Sequence, residues 1–512
     1  MSKSVRRSGL FFVAIVNLCL HSSATEPPHC KGANGQQFVP AKIIEQPIAL
    51  RSNIGLAHES VSTHSLPAQR YYDQGLSFLY AYHWINAARS FTEALRLDPK
   101  LAMGHLGLSY AASGLGNEAS AMHEASLALM LVPSASRREA LRVALRMRQL
   151  ESMQAEERGE HSSAYRVALT KALLEYPNDI YLLLLSGNAA EGSPFGRGQQ
   201  GKMESIAYYE QVLGRDPSNP AAHHYLIHAW ELSNNIDKAI AHARIFAASS
   251  ASLPHAHHMY GHELLRAGKT DAAIAQFEWA DTLEDQEWAE NPGARSYDWH
   301  YRHNLNLLAA AYRLAGKSRK AEAVLQKLAM LPNRSEVDEY YQAQLPLLEL
   351  ENGRNSETLA AVRRYLNPRT DVGIAMKHAI RGSALLRTGS PGAAADELAS
   401  AKKRLALVDP GWRPFLQPWI NILDDELEIV RLPLPLAERR LMMQIRELEP
   451  SSGTDAWSDA LFHFEYLGHI AIKNRLLEAA QICANRLNQL APTYAGGQRL
   501  LVEIQETQHE AR

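Results

Sequence analysis

Residues 223–231 read HHYLIHAWE and residues 255–265 read HAHHMYGHELL. Four residues is about one helical turn, so His224 and His228 share a face of one helix, and His258 and His262 share a face of another. His224 and His258 are 34 residues apart, as are His228 and His262. Glu231 follows His228 by three residues and extends the same row. In the next such segment, YDWHYRHNLNLLAAAY, His303 and Asn306 fall at the corresponding places.

Those residue types point to metal chemistry. An i,i+4 pair of imidazoles grips one ion from a single helix, and a neighbouring helix completes the shell. His224, His228, Glu231, His258, His262 and His303 form a nitrogen-rich set that suits Zn, Cu or Fe; Mg and Ca prefer oxygen. Helical bundles hold ions with inward Glu and His, and an open coordination position there activates water or oxygen. Two other readings fit the same residues. One is a peptide groove lined by His255, Trp230 and Asn306 together with the histidines. The other is a structural hydrogen-bonded histidine cluster. His223, His257 and His300 show that histidine is frequent here beyond one face.

The elements that position these residues repeat. From Ala68 the chain reads AQRYYDQGLSFLYAYHWINAARSFTEALRLDPK, two amphipathic segments meeting near Tyr82 and His83. Gly75, Ala87, Phe91, Ala94 and Pro99 stand at the spacings of the tetratricopeptide (TPR) repeat, which the segment resembles. Gly107, Tyr110, Ala119 and Pro133 repeat the pattern, as do Gly261, Ala273, Phe277 and Ala280; Ala309, Tyr312, Ala321 and Leu325 carry a looser copy. Helical pairs continue past Leu331 with weaker patterning, ending in DALFHFEYLGHIAIKN and LLEAAQICANRLNQLAP. The expected fold is all-α, a TPR-like α-solenoid of antiparallel helix pairs stacked side by side. The 34-residue spacing is one repeat period, so the histidine pairs sit at equivalent turns of adjacent first helices, about 10 Å apart.

On the second histidine helix, Tyr260, Gly261, Leu264 and Leu265 make the packing stripe. His255, His258 and His262 point about 120° from its centre, at about 100° per residue. The resemblance to TPR proteins implies that this side faces a concave groove. From about Ala68 to Leu331 the chain also resembles a group of TPR-containing proteins with an L-x-x-H-A-x-E-like first helix followed by an H-M-x-x-H-like one. Here those elements are LIHAWE (Leu226–Glu231) and HMYGH (His258–His262), with His303-Asn304-Leu305 as a third; Tyr260-Gly261 departs from the Pro-Ser of that pattern. The resemblance implies the fold and supplies no reaction. The expected function is binding of a protein, peptide or ligand through the groove, with a metalloprotein or metal-dependent enzyme as the competing class.

The 512 residues carry a net charge of −2 and are 46% hydrophobic, a balance that gives no basis for binding nucleic acid or an anionic membrane. Lys3, Arg6 and Arg7 precede the short apolar run Leu10 to Leu20, and Ser22-Ser23-Ala24 follows, the pattern of a secretory signal peptide over residues 1–24. The expected mature chain is secreted or periplasmic and has no transmembrane segment. A disordered lead-in is expected over 25–66, TPR-like repeats over 67–331 and degenerate helical repeats over 332–512. Loss of the signal removes Cys19 and leaves Cys30 and Cys483, too few for a disulfide framework. GRGQQGKM (196–203) has Met203 where a phosphate-binding loop needs Ser or Thr, and HELLR (262–266) has Arg266 where a zinc protease needs its second histidine. Of the tryptophans, Trp84, Trp279 and Trp299 read as packing residues and Trp230 as a border of the histidine region.

Overall fold

The computed structural model describes residues 38–154, 158–191, 201–289, 291–448 and 453–510. The signal-peptide segment, Cys30 and the start of GRGQQGKM lie outside them. Among the described residues there are helices and no strands, and successive helices pair antiparallel: Leu66–Tyr80 with Trp84–Leu97, Ala102–Gly114 with Glu118–Leu131, Pro220–Leu232 with Ile236–Ser249, Pro254–Arg266 with Thr270–Glu287, Trp299–Leu314 with Ser318–Ala329. The protein is a TPR-like α-solenoid. No described helix is long and apolar enough to cross a membrane.

Close approach of the helices depends on small residues set against one large ring. A Cβ on Gly75 or on Gly107 would come within 2.5 Å of the Phe91 ring, which therefore fills the space between three helices. Gly261 stands in the same relation to Phe277, where a Cβ would meet the ring at 2.7 Å. The turn inside each pair uses one residue in the left-handed region. Gly116 and Gly268 fill that place with φ of 72° and 71°, whereas Tyr82 and Asn234 fill it with φ of 56°. A bulky residue there costs on the order of 1–2 kcal/mol, which marks Tyr82 as a position held for another reason.

Residues 38–65, expected as part of a disordered lead-in, are ordered. Ile48, Ile54 and Ala57 are buried against the first pairs, Ile43 packs with Ile85 and Trp288, and the backbone of Gly55 donates to Ser249 at 3.2 Å. Arg51 and Asn86 both reach Glu287, which joins the first pair to a helix about 200 residues later. The lead-in stays ordered because Ile43, Ile48, Ile54 and Ala57 give it enough apolar surface to bury against the helices. No break in packing falls at residue 331 either: one core runs from Leu264 to Ile504. The irregularity there is local, with two short helices, Glu336–Gln342 and Gln344–Glu351, standing where a regular pair would be.

Candidate metal centres

Each histidine-bearing helix begins with a device that fixes its first turn. The Asn219 side chain accepts from Ala222 N–H at 3.1 Å ahead of Pro220, Pro254 opens the second helix, and Asp298 accepts from His300 N–H at 3.1 Å in the third. The face carrying the histidines lies off the stripe that packs each pair, as the periodicity requires. It is nevertheless buried, with His224, His228, His255, His258, His262, His300 and His303 all between 0 and 4% exposed. Closure of the superhelix is the reason. The carbonyls of Tyr80 and Tyr82, from the first pair, reach His224 and Trp299 respectively, and Thr454–Lys473 closes the other side.

The imidazoles form two groups of three, within each of which the candidate ligand atoms lie within 4.8 Å of one another. In the first, His224 Nε2 stands 3.1 Å from His228 Nε2 and 3.0 Å from His255 Nε2. His224 Nδ1–H donates to the Tyr80 carbonyl at 2.6 Å, so its Nε2 carries the lone pair. That nitrogen has one in-plane lone pair and two imidazole neighbours at hydrogen-bond distance. Hydrogen bonding satisfies one of them; a cation satisfies all three. With metal–nitrogen bonds of 2.0–2.1 Å, ligand nitrogens are about 3.3 Å apart on a tetrahedral ion and about 2.9 Å apart when cis on a tetragonal one. The observed 3.0–3.1 Å falls between these.

The second group is His258, His262 and His303. Asn304 Nδ2 donates to the Phe277 carbonyl at 3.1 Å, which turns Asn304 Oδ1 toward His258 Nδ1 at 3.0 Å. His258 Nδ1 must then be the donor, and its Nε2, fully buried, has no hydrogen-bond partner among the described residues. His303 Nδ1 faces the Tyr341 hydroxyl at 2.8 Å and Asp455 at 3.6 Å, while His262 Nδ1 lies 3.6 Å from Glu231. Carboxylates behind ligating imidazoles are a usual outer layer of metal sites. Glu231 also accepts from the backbone and hydroxyl of Thr454, and Asn306 donates to Asp455 at 3.4 Å.

Burial, reinforced by neighbouring imidazoles, pushes His224, His255, His258, His300 and His303 well below the ordinary histidine range, so they stand neutral with lone pairs available. Burial alone would raise the Glu231 carboxyl; His262, His228 and Thr454 outweigh it and hold the group at about 2. Burial raises Asp455 to about 6, against the pull of His262.

The six residues expected to meet in one region therefore divide. His255, expected in a groove, belongs with His224 and His228, and Glu231 stands behind His262. Asn306 holds Asp455 through its Nδ2. Trp230 is buried beneath Lys238, whose Nζ is 3.8 Å from its ring centroid. The tryptophan at the site is Trp299, stacked on His303 at 5.7 Å. His300, which the i,i+4 pattern does not single out, also belongs to the site. Its Nδ1 pairs with Glu284 at 2.6 Å and its ring lies 4.7 Å from His255 and 4.6 Å from His258, between the two groups. The signal was present, because His255/His258 and His300/His303 repeat one H-x-x-H spacing. His223 and His257 lie elsewhere, bonded to His242 and Gln276. A third cluster, His83, Glu284 and Asp298, has its carboxylates already engaged by the Trp288 indole and by His300.

No family model matches the chain, and no curated protein matches it. Among solved structures, a tetratricopeptide repeat protein from Parabacteroides merdae is similar at 12% identity, covering 63% of this chain and 98% of that one, with a TM-score of 0.31. Yeast Tom70 is similar at 12% identity, covering 83% of this chain and 93% of its own, with a TM-score of 0.38. PilW, a type IV pilus biogenesis factor, is similar at 17% identity over 47% of this chain and 98% of its own, with a TM-score of 0.24.

Proposed function

We propose that this chain is a metalloprotein that holds transition-metal ions at two neighbouring three-histidine centres in the closed interior of the solenoid. The observation that carries the reading is the approach of His228 and His255 Nε2 to a single His224 lone pair at 3.0–3.1 Å. Three imidazoles with no carboxylate among them favour Cu or Zn at the first centre. The second has Glu231 and Asp455 at hand and admits Fe as well. A bound ion would supply Lewis acidity, or an activated water where a coordination position stays open. The protein's own residues fix the imidazoles: the Tyr80 carbonyl sets the His224 tautomer and Asn304 sets that of His258. We place the protein outside the cytoplasm on the strength of the basic, apolar and small-residue sequence at its N-terminus.

A peptide lying in the groove is the weaker reading, since Thr454 and Asp455 stand against the histidine-bearing face. The deciding measurement is metal content per chain, by mass spectrometry, of protein made without a polyhistidine tag and reconstituted separately with Cu, Zn and Fe. Two tightly held ions are expected, falling to one in His255→Ala and to one in His262→Ala. Folded protein that retains no ion after reconstitution refutes the proposal.

A further inference from the structure

A cavity of about 100 Å³ lies beside the first histidine centre, lined by Leu79, Tyr82, Tyr110, Tyr181, Tyr225 and, at one side, Arg146. Arg146 is only 2% exposed. Its Nε donates to Ser109 Oγ at 3.0 Å and its Nη1 to Gln149 Oε1 at 2.7 Å, while Nη2 donates to the Ser109 carbonyl at 2.9 Å and to Ser113 Oγ at 2.6 Å. Four of five donors are thus taken, every one by a neutral oxygen. The Tyr110 ring covers the guanidinium with its centroid at 4.1 Å. Arg142, one turn earlier on the same helix, shows the ordinary solution: Glu59 and Asp179 neutralise it, the latter at 2.9 Å. No carboxylate pairs with Arg146 among the described residues. Glu118 reaches it through Ser113 Oγ, which donates to that carboxylate at 3.4 Å. A buried cation with no carboxylate in direct contact is costly, and one that lines a cavity with a donor to spare suits an anion brought in from outside the chain.

The rest of the lining selects what that anion carries. Tyrosine faces and Leu79 offer flat apolar surface. An engineered apolar cavity of about 150 Å³ accommodates benzene, so this smaller space limits an occupant to a single ring. Tyr82 closes the cavity on the metal side, and its ring centroid is 4.4 Å from that of His224, 6.0 Å from His228 and 5.7 Å from His255. This explains why a tyrosine occupies a left-handed turn position that glycine fills in the next repeat.

We propose that the cavity between Arg146 and Tyr82 binds a small single-ring organic carboxylate, with the carboxylate at the Arg146 guanidinium and the ring among the tyrosines. The site stands whether or not a metal is bound, and places such a ligand one aromatic ring away from the first histidine centre. The test is isothermal titration of benzoate and of 4-hydroxybenzoate into the full chain, once chelator-treated and once metal-loaded. One-to-one saturation is expected with a dissociation constant at or below ~1 mM, and at least about tenfold weaker binding of acetate, which lacks the ring, and of benzyl alcohol, which lacks the charge. Arg146→Met and Leu79→Trp should each abolish binding. The second leaves Arg146 and its bonds in place and fills the cavity instead, so it separates loss of the site from loss of the fold. The proposal is overturned when neither carboxylate saturates the wild-type chain, when benzyl alcohol or acetate binds as well as benzoate, or when folded Leu79→Trp binds undiminished.

Discussion

Asn304 offers a way to perturb the second histidine centre without touching a ligand. Its two bonds, Nδ2 to the Phe277 carbonyl and Oδ1 to His258 Nδ1, force His258 to present a bare Nε2. Asn304→Ala removes that constraint. Losing an outer-layer partner of this kind typically weakens metal binding by about 10–100-fold, or about 1.4–2.8 kcal/mol. The same change removes two buried hydrogen bonds at about 1 kcal/mol each and leaves a buried N–H without its acceptor, so stability falls by about 2–4 kcal/mol. Asn304→Asp keeps an oxygen facing His258 Nδ1, but it replaces the donor to Phe277 with a second acceptor and buries a charge. It should therefore hold metal nearly as well as the wild type while still losing stability. Both variants are best made in a His255→Ala background, where one centre remains, and titrated with Zn against a chromophoric chelator. Equal affinities for the wild-type, Ala and Asp side chains in folded protein would refute the argument that Asn304 sets the His258 tautomer. The metal reading of the second group would then lose its main support.

Other outcomes follow from the same geometry. Burial and mutual repulsion depress five histidines below their ordinary range, so in the metal-free chain they stay neutral while the unfolded chain takes up protons below about pH 6.5. Their contribution is complete above that pH and is lost as pH falls, by up to about 1.4 kcal/mol per unit per group, so urea midpoints of the metal-free chain should drop steeply from pH 7 to 5.5. A flat profile over that window contradicts the assignment of neutral buried imidazoles. Gly261→Ala drives a Cβ to 2.7 Å from the Phe277 ring and should cost about 1–3 kcal/mol, read as a lower denaturation midpoint, since a ring packed between helices has little room to yield. Arg51→Ala cuts one tie between the lead-in and Glu287 and should increase proteolysis within residues 38–65 more than within the repeats.

The fold was legible because a repeat writes the same packing problem several times. Gly75, Phe91 and Ala94 recur at fixed offsets, and one period of 34 residues sets His224 and His258, and His228 and His262, at equivalent turns of adjacent helices. What periodicity describes is a helix and its neighbour. Closure of the superhelix brings Tyr80 beside His224 across 144 residues, and that depends on small rotations accumulated over many pairs, which no local pattern encodes. For that reason the off-stripe face reads from the sequence only as the side toward a concave groove, and its closure into an interior is legible only in the fold. His300 is legible in the sequence, since with His303 it repeats the H-x-x-H of the preceding first helix. Tyr82 shows the opposite case, since only its backbone conformation reveals that a glycine position was given up for its ring.

The docking of Thr454–Lys473 leads to a prediction about rates. Its first residue gives Glu231 both a backbone N–H at 3.0 Å and a hydroxyl, so a buried carboxylate sits at the positive end of that helix. One route to the second centre passes the residues this helix covers. On that route uptake and release both require the helix to lift. Thr454→Ala keeps the N–H and removes the hydroxyl, a charge-assisted bond worth about 1.5–3 kcal/mol, so the lifted state becomes about 10–100 times more populated. Stopped-flow uptake and chelator-driven release at the second centre, measured in the His255→Ala background, should accelerate together by that factor. The dissociation constant, a ratio of the two, should move little because no ligand and no outer-layer carboxylate has changed. Unchanged rates would mean that ions enter by another route, and faster release without faster uptake would mean that Thr454 acts on the bound ion and not on its passage.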